Sequence, residues 1–305
     1  MTRFVSIGDL VTDIYYDKNL RLIGADGGIT CHNIICNLKY MGFDTFAFGV
    51  CGNDFVGRIS IDSLNDCGVK NDIFIDDKIK TKAYHIRRII KDGKYAYKSI
   101  KYSPYTKVSS WYEGSYILEG DILKKIQKDD ILVFDNLNAK NQFIVDNTSN
   151  LKLLDLGLYD EFESLSKEEI VDKIKGKFEI INLNERVEKF LLDKLNCKDD
   201  VELSKLILAK LIIITRGING NDFIFDNKKY SYPLKEIIEE VDDSGAGDAF
   251  FSTIIKNWIN NDMKIEESKL DLWVNDTSTL IKKVLRLVGS RRHIKKLYKV
   301  RKKDF

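Results

Sequence analysis

Two prolines in 305 residues, and no stretch rich in proline, glycine or serine, leave nothing in this chain that reads as a linker between domains. Charge of one sign is lacking too: 49 Lys+Arg stand against 47 Asp+Glu, a net +2, so no global field asks for a nucleic acid or a membrane as partner. The five cysteines, Cys31, Cys36, Cys51, Cys67 and Cys197, are odd in number and scattered, without the paired CxxC spacing of a zinc site. They read as reduced thiols of a cytoplasmic protein. No run approaches the ~18 uninterrupted apolar residues of a membrane span, since Lys210 interrupts LILAKLIIIT. The opening MTRFVSIGDLVTDIYY is too short an apolar run for a signal peptide and carries acids inside it, so a soluble intracellular protein is expected. Histidine is scarce: His32, His85 and His293 stand alone, and an isolated histidine is more often structural than catalytic. One local charge excess, Arg291–Lys303, reads as the solvated basic end of a last helix, where Lys and Arg suit the helix dipole.

With 44% hydrophobic residues the chain can bury a large core. Short β-branched runs ending in turn residues recur at Phe4–Ile7, Thr45–Val50, Ile131–Phe134, Leu151–Leu154, Glu179–Ile181 and Leu211–Thr215. Continuously apolar runs of that length suit strands buried on both faces. Amphipathic stretches of helical length lie between them, including His32–Met41, Phe55–Cys67, Ser166–Lys175, Glu185–Leu195 and Val201–Lys210. Strand then helix, repeated, predicts a doubly wound α/β sheet in a single domain over residues 1–305. Around Asp92-Gly93, a hairpin turn pair, residues Ile73–Ile90 and Tyr95–Tyr102 alternate polar with β-branched or aromatic side chains. With the region after Ile14 they predict a small antiparallel sheet, formed approximately by residues 14–26 and 73–112, that covers the carboxyl ends of the main strands as a lid.

The most specific segment is VDDSGAGDAF, Val241–Phe250, ahead of a helix-compatible run. Gly245-Ala246-Gly247 has little side chain to obstruct a phosphate, and peptide N–H groups at a helix start point outward unpaired. An aspartate there, Asp248, can take a proton from a hydroxyl while the backbone donors hold a phosphoryl group. The alternative is a glycine-rich turn with Asp248 as a first-turn acid favoured by the dipole.

The segment resembles the second signature of the pfkB (ribokinase-like) carbohydrate kinase family, usually written D-T-x-G-A-G-D, with Asp243 standing where the family has threonine. The resemblance implies a ribokinase-like three-layer sandwich with a central, mostly parallel sheet and a small β lid. It implies Asp248 as catalytic base, Gly245, Ala246 and Gly247 as anion hole, and Asp242 beside a monovalent cation such as K+. Asn182-Leu183-Asn184-Glu185 resembles the family's N-x-x-E motif, which organises magnesium and phosphate and implies ATP with Asn182 and Glu185 at its site, Glu185 acting on Mg2+ through water; as residue types alone, Glu185 is also a first-turn acid after an Asn cap. Thr215-Arg216-Gly217-Ile218-Asn219-Gly220 resembles the T-x-G-x-x-G turn against the nucleotide, with Thr215, Gly217 and Gly220 as its members, or is an ordinary tight turn. Gly27-Gly28 followed by Asn33 resembles the first family signature, with one residue more than usual before the asparagine. That implies Gly27, Gly28, Asn33 and Asp13 on the sugar side, Asp13 being otherwise a turn residue after the first strand. Gly49–Gly57 resembles the G-x-x-G-x-D-x-x-G stretch.

The activity implied is transfer of the ATP γ-phosphoryl group to a hydroxyl of a sugar or sugar derivative. The partners expected are small molecules, and a homodimer through the lid. A nucleoside kinase of the same fold and a non-catalytic sugar sensor are the rivals; the retained Asp248 and cradle speak against the sensor. The tyrosines and tryptophan between Tyr95 and Tyr116, with His85, are read as lid packing or substrate contacts. Bulky residues in DTSTLIKKVLRLVG, Asp276–Gly289, stand where the family has small ones near the adenine.

Overall fold

The computed structural model describes residues 2–17, 19, 21–91, 94–100, 117–157, 160–234 and 242–301. In chain order the elements are β1 (Arg3–Asp9), β2 (Val11–Tyr16), β3 (Leu22–Gly27), α1 (Thr30–Tyr40), β4 (Asp44–Gly52), α2 (Phe55–Asp66), β5 (Lys70–Asp76), β6 (Lys82–Lys91), β7 (Lys94–Ile100) and α3 (Ile117–Lys125). They continue with β8 (Ile131–Phe134), α4 (Ala139–Asp146), β9 (Leu151–Leu156), α5 (Lys167–Ile174), β10 (Ile180–Asn184), α6 (Glu185–Leu195), α7 (Asp200–Ile207), β11 (Leu211–Thr215), β12 (Asn221–Phe225), β13 (Lys228–Tyr232), α8 (Ala246–Asn260) and α9 (Glu267–Leu285).

Nine strands form the central sheet in the order β13-β12-β11-β10-β9-β8-β1-β4-β5. All neighbours run parallel except β11 with β12 and β12 with β13. The continuous apolar runs follow from burial on both faces. Ile131, Val133, Ile180, Leu211 and Ile213 pack one way with α1, α8 and α9, while Leu132, Phe134, Ile181, Ile212 and Ile214 pack the other way with α4 to α7. Alternation along a strand sends neighbouring side chains to opposite faces, so one run feeds two cores. Several helices begin at polar caps: Ser166 and Glu169 make a reciprocal capping box on α5, and the Asn184 side chain accepts the Val187 N–H on α6 at 2.9 Å.

From β1 the chain winds outward through β4 and β5, then returns to the other side of β1 with β8 and proceeds to β11. That reversal opens a crevice at the carboxyl ends of β1 and β8, the place where open α/β sheets bind ligands. A second sheet, ordered β3-β2-β6-β7, leaves that same end, because β2 follows β1 after one residue.

This second sheet differs from the sequence expectation in three ways. It begins at Val11, and it is mixed, since β2 runs parallel to β6. Residues 73–76 belong to β5 on the edge of the central sheet instead. Residues 101–112 of the expected lid lie outside the described residues, as do the side chains of His85, Tyr95 and Tyr97 and the aromatic residues from Tyr102 to Tyr116.

The basic segment is also a correction. The last helix ends at Leu285, and the chain then runs to the β3 edge of the second sheet, where Tyr298 pairs with Ala25 through N–H to O bonds of 2.9 and 3.0 Å. Arg291 there is 1% exposed. The bulky residues Leu280, Ile281 and Val284 of α9 pack on Ala249 of α8 and on Met41. No helix among the described residues is long and apolar enough to cross a membrane.

Candidate active site

Asp248 sits in the first turn of α8 and is buried. Its Oδ2 accepts a hydrogen bond from Nδ2 of Asn33 on α1 at 2.7 Å. Burial pushes the Asp248 carboxyl up to about 6; the Asn33 N–H and the Arg291 charge pull against this, and Asp135 adds to it. An ionisation that close to neutrality suits a group that must be both charged and able to take a proton.

Gly245 caps α8 with φ 82°, a left-handed conformation, and a Cβ there would meet the Ser290 Cβ at 2.7 Å. The Ala246 N–H donates to the Asp243 carbonyl at 3.1 Å, so this member of the expected three-residue cradle is committed to a turn. The N–H groups of Gly247 and Asp248 belong to the first helical turn, which has no carbonyl of its own to receive them. A Cβ on Gly247 would meet nothing within 4 Å, so its face is open to a ligand. Asp242 closes the other side: its carboxylate accepts from Ser244 N at 2.8 Å and from Gly289 N at 2.7 Å. Two backbone donors on this carboxylate organise the loop.

The sugar-side residues gather at the same place. Asp13 on β2 is buried, and its Oδ2 accepts from the Tyr15 hydroxyl at 3.2 Å. Burial pushes its carboxyl up to about 7, against the pull of Tyr15 and Arg291. Gly28 lies so close that a Cβ on it would stand 2.7 Å from the Asp13 Cγ. Gly27 is matched to a different neighbour, the guanidinium of Arg291.

Sequence reasoning missed Arg291. Its Nε donates to Asn33 Oδ1 at 2.8 Å, one terminal nitrogen to Ser63 Oγ at 2.8 Å, and the other to the Gly28 carbonyl at 2.9 Å. Ser63 in turn donates to Asp26 Oδ1 at 2.6 Å, and Lys295 contacts the same oxygen at 2.9 Å. No local signal distinguishes Arg291 from the basic residues around it.

Along the carboxyl ends of the parallel strands runs a second group. Asn182 on β10 stands in register with Asp155 on β9 and donates to its Oδ1 at 3.0 Å. Asp135 follows β8 directly and accepts the Cys31 N–H at 3.3 Å. Burial holds Asp155 well above the usual carboxylate range, with the charges of Asp248 and Asp135 adding to it, and burial raises Asp135 as well. Both acids were read in the sequence only as the turn residues that end strands. Their place beside the topological reversal is the signal that finds them.

The nucleotide-side residues expected from the sequence form a third group. Glu185 opens α6 and pairs with Lys189 at 3.0 Å and Arg216 at 3.7 Å, and Lys189 before Arg216 holds its carboxyl below the usual range. Thr215 Oγ1 donates to the Leu183 carbonyl at 3.3 Å. Gly217 and Gly220 close a single helical turn, with Gly220 N donating to Gly217 O at 3.1 Å and Arg216 N to Gly220 O at 2.9 Å. No hydrogen bond among the described residues joins this group to Asp248.

His32 is internal: its Nδ1 lies 2.7 Å from Ser6 Oγ, and burial pushes its ring down to about 3. In the G-x-x-G-x-D-x-x-G stretch, Asp54 caps α2 by accepting Gly57 N at 2.7 Å and also accepts Thr81 N at 2.8 Å. That ties the β4–α2 turn to the start of the second sheet.

Among the described residues no three His, Cys, Asp or Glu side chains converge as a metal cage. Asn182 Oδ1 is nonetheless buried without a hydrogen-bond partner, next to Asp155. An orphaned amide oxygen beside a carboxylate fits a hard cation that keeps most of its water.

Residues 27–269 match the profile described as pfkB family carbohydrate kinase. Among solved structures, the chain is similar to an uncharacterized sugar kinase from Pyrococcus horikoshii, at 18% identity over 97% of this chain and 99% of that one, with a TM-score of 0.70. The Methanocaldococcus jannaschii nucleoside kinase, an archaeal member of the ribokinase family, is similar at 16% identity over 98% and 95% of the chains, with a TM-score of 0.70. A double mutant of the Vibrio cholerae O395 fructokinase, bound to fructose, ADP and potassium, aligns at 16% identity over 96% and 95%, with a TM-score of 0.67. Among curated proteins none matches this chain.

Proposed function

Because the chain belongs to the pfkB family of carbohydrate kinases, we propose that it transfers the γ-phosphoryl group of ATP to a hydroxyl of a sugar or sugar derivative, with Asp248 as the base. The observation that carries this reading is the buried Asp248 carboxylate, held by Asn33 at 2.7 Å beside the open face of Gly247.

Asn33 occupies Oδ2 of Asp248, which leaves Oδ1 to face the acceptor. As the acceptor oxygen bonds to the γ-phosphorus, its proton passes to Oδ1, the bond from phosphorus to the bridging oxygen breaks, and ADP leaves. The N–H groups of Gly247 and Asp248 hold the transferring group in line. Asp13 accepts hydrogen bonds from substrate hydroxyls, and the remaining Nδ2 hydrogen of Asn33 donates to one. Asn182 and Asp155, with Glu185 through water, are the residues that would hold magnesium, which when bound would neutralise phosphate charge. The second sheet, standing at the carboxyl ends of the main strands, limits the access of water, which otherwise competes as acceptor.

The test is a screen of hexoses, pentoses, aminosugar derivatives and nucleosides, following ADP release and identifying each product by mass spectrometry. Phosphorylation of a sugar in that panel supports the reading. Turnover confined to nucleosides replaces the acceptor, and no turnover with any of them overturns the activity.

A further inference from the structure

Asn33 contributes one amide to two neighbours of opposite demand. Its oxygen side accepts from Arg291 Nε at 2.8 Å and from Ser290 Oγ at 3.4 Å, and its nitrogen side donates to Asp248 at 2.7 Å. An amide can turn over and exchange these two sides with little change of shape. A guanidinium has five donors and no acceptor, so only the amide oxygen can face it. With the oxygen fixed there, the N–H must face Asp248. Turned over, the amide would set its oxygen against the Asp248 carboxylate and its N–H against the guanidinium, and both contacts would be repulsive.

Arg291 can enforce this choice because every one of its nitrogens is held. It is 1% exposed, and its three nitrogens are committed to three separate elements: Asn33 on α1, Ser63 on α2 and the Gly28 carbonyl of the loop after β3. Ser63 is itself held by Asp26 at 2.6 Å. Fixing a planar fork at every nitrogen leaves it one orientation.

We infer that Arg291 is a positioning residue for the base: it sets the orientation of the Asn33 amide and thereby keeps a hydrogen bond on the ionised form of Asp248. It touches neither acceptor nor phosphate and acts through Asn33. The inference rests on the reading of Asp248 as the base, but its test does not require turnover. The charged groups facing Asp248 are Asp135 beyond β8, Asp155 on β9 and Arg291 itself. Arg291→Lys keeps the positive charge and removes the fork, which separates orientation from simple attraction.

The experiment is carbon-13 NMR titration of aspartate carboxyls in the full chain, with Asp248 assigned by its loss in Asp248→Asn. Parent, Arg291→Lys, Asn33→Ala and the double variant are compared, and thermal melting checks that each is folded. The Asp248 midpoint should rise in Arg291→Lys, because the Asn33 amide is no longer held with its N–H on the carboxylate. Asn33→Ala, which removes the donor outright, should raise it by roughly one pH unit, and the double variant should rise no further than Asn33→Ala, as expected of residues acting in series. An unchanged midpoint in Arg291→Lys overturns the inference, and so does a shift that adds to that of Asn33→Ala. Should Arg291→Lys not fold, Ser63→Ala loosens the same fork at one nitrogen: a rise supports the inference and no rise overturns it. If the parent phosphorylates nothing in the substrate panel, the kinase reading fails while this titration still returns its own answer.

Discussion

Gly27 and Arg291 share one volume, since a side chain on Gly27 would run into a terminal nitrogen of the Arg291 guanidinium and then into Ser63. The first glycine of the pair is therefore explained within the protein, by the arginine that stands against it. Gly27→Ala should displace that guanidinium and, as overpacking of a filled interior, cost about 1–3 kcal/mol of stability. A urea titration compared with the parent checks it; an unchanged midpoint would mean that Arg291 is not held where the hydrogen bonds place it.

Asp248→Asn is nearly isosteric and keeps a hydrogen-bonding side chain. General-base catalysis is typically worth about 10²–10⁴-fold, so turnover should fall by at least the lower figure while ATP and sugar affinities stay within a few-fold. Steady-state kinetics with separate binding titrations measure both, and melting curves exclude loss of fold. A folded variant with near-parental turnover would falsify the role given to Asp248.

Activity and stability should respond to pH in opposite directions. Asp248 must be ionised to act, so turnover should fall as pH drops through about 6. Burial raises Asp248 to about 6, Asp13 to about 7 and Glu161 to about 7. A carboxyl whose folded pKa lies above its unfolded value binds more protons when folded, so its contribution is fully present below the unfolded value and is lost as pH rises through the folded one. Between about pH 4 and 7 these three groups should thus lower the unfolding free energy as pH increases. Unfolding titrations across that window should show a shallower slope in Glu161→Gln, which removes the carboxylate that accepts the Leu137 N–H at 2.7 Å.

Asp13→Ala removes a buried acceptor from the sugar side. The unpaired substrate hydroxyl should cost about 1–3 kcal/mol of sugar binding, with ATP binding little changed. Calorimetric titration of each ligand separately tests this, and equal sugar affinity in parent and variant would remove Asp13 from the site.

Glu185→Gln should raise the magnesium concentration needed for half-maximal turnover, because the water shell loses an anionic acceptor. Its carboxylate already pairs with Lys189 and Arg216, so the effect should be smaller than that of Asp155→Asn, where the acid is buried beside Asn182. Magnesium titrations of the three proteins that overlay one another would show the N-x-x-E resemblance to be coincidental.

Six parallel strands of the central sheet, β1, β4 and β8 to β11, were legible because they are short apolar runs that fill two cores, a pattern no amphipathic helix produces. The pairing of β6 with β7 was legible from Asp92-Gly93, and Lys91 stands opposite Lys94 in the observed register. The pairing of β2 with β6 was not. These strands are joined through β3, α1, β4, α2 and β5, and no turn residue records a partner so far away. Asn33 and Asp248 were each legible from local motifs, but their bond to one another spans 215 positions. Arg291 fails for a related reason: a basic residue among basic residues reads as solvent-facing, and only the three acceptors assembled from distant segments make its burial tolerable.

The bond between Arg291 and Asn33 spans 258 positions, and this separation bears on the order in which the molecule matures. Residues Gly27 to Asn33 leave the ribosome long before Arg291 is made. Until then the Asn33 amide has no donor to orient it, and β3 lacks the chain that pairs with it at Tyr298. Contacts of such long range close late in folding. The site around Asp248 is therefore among the last parts of the protein to become competent, after the central sheet has formed.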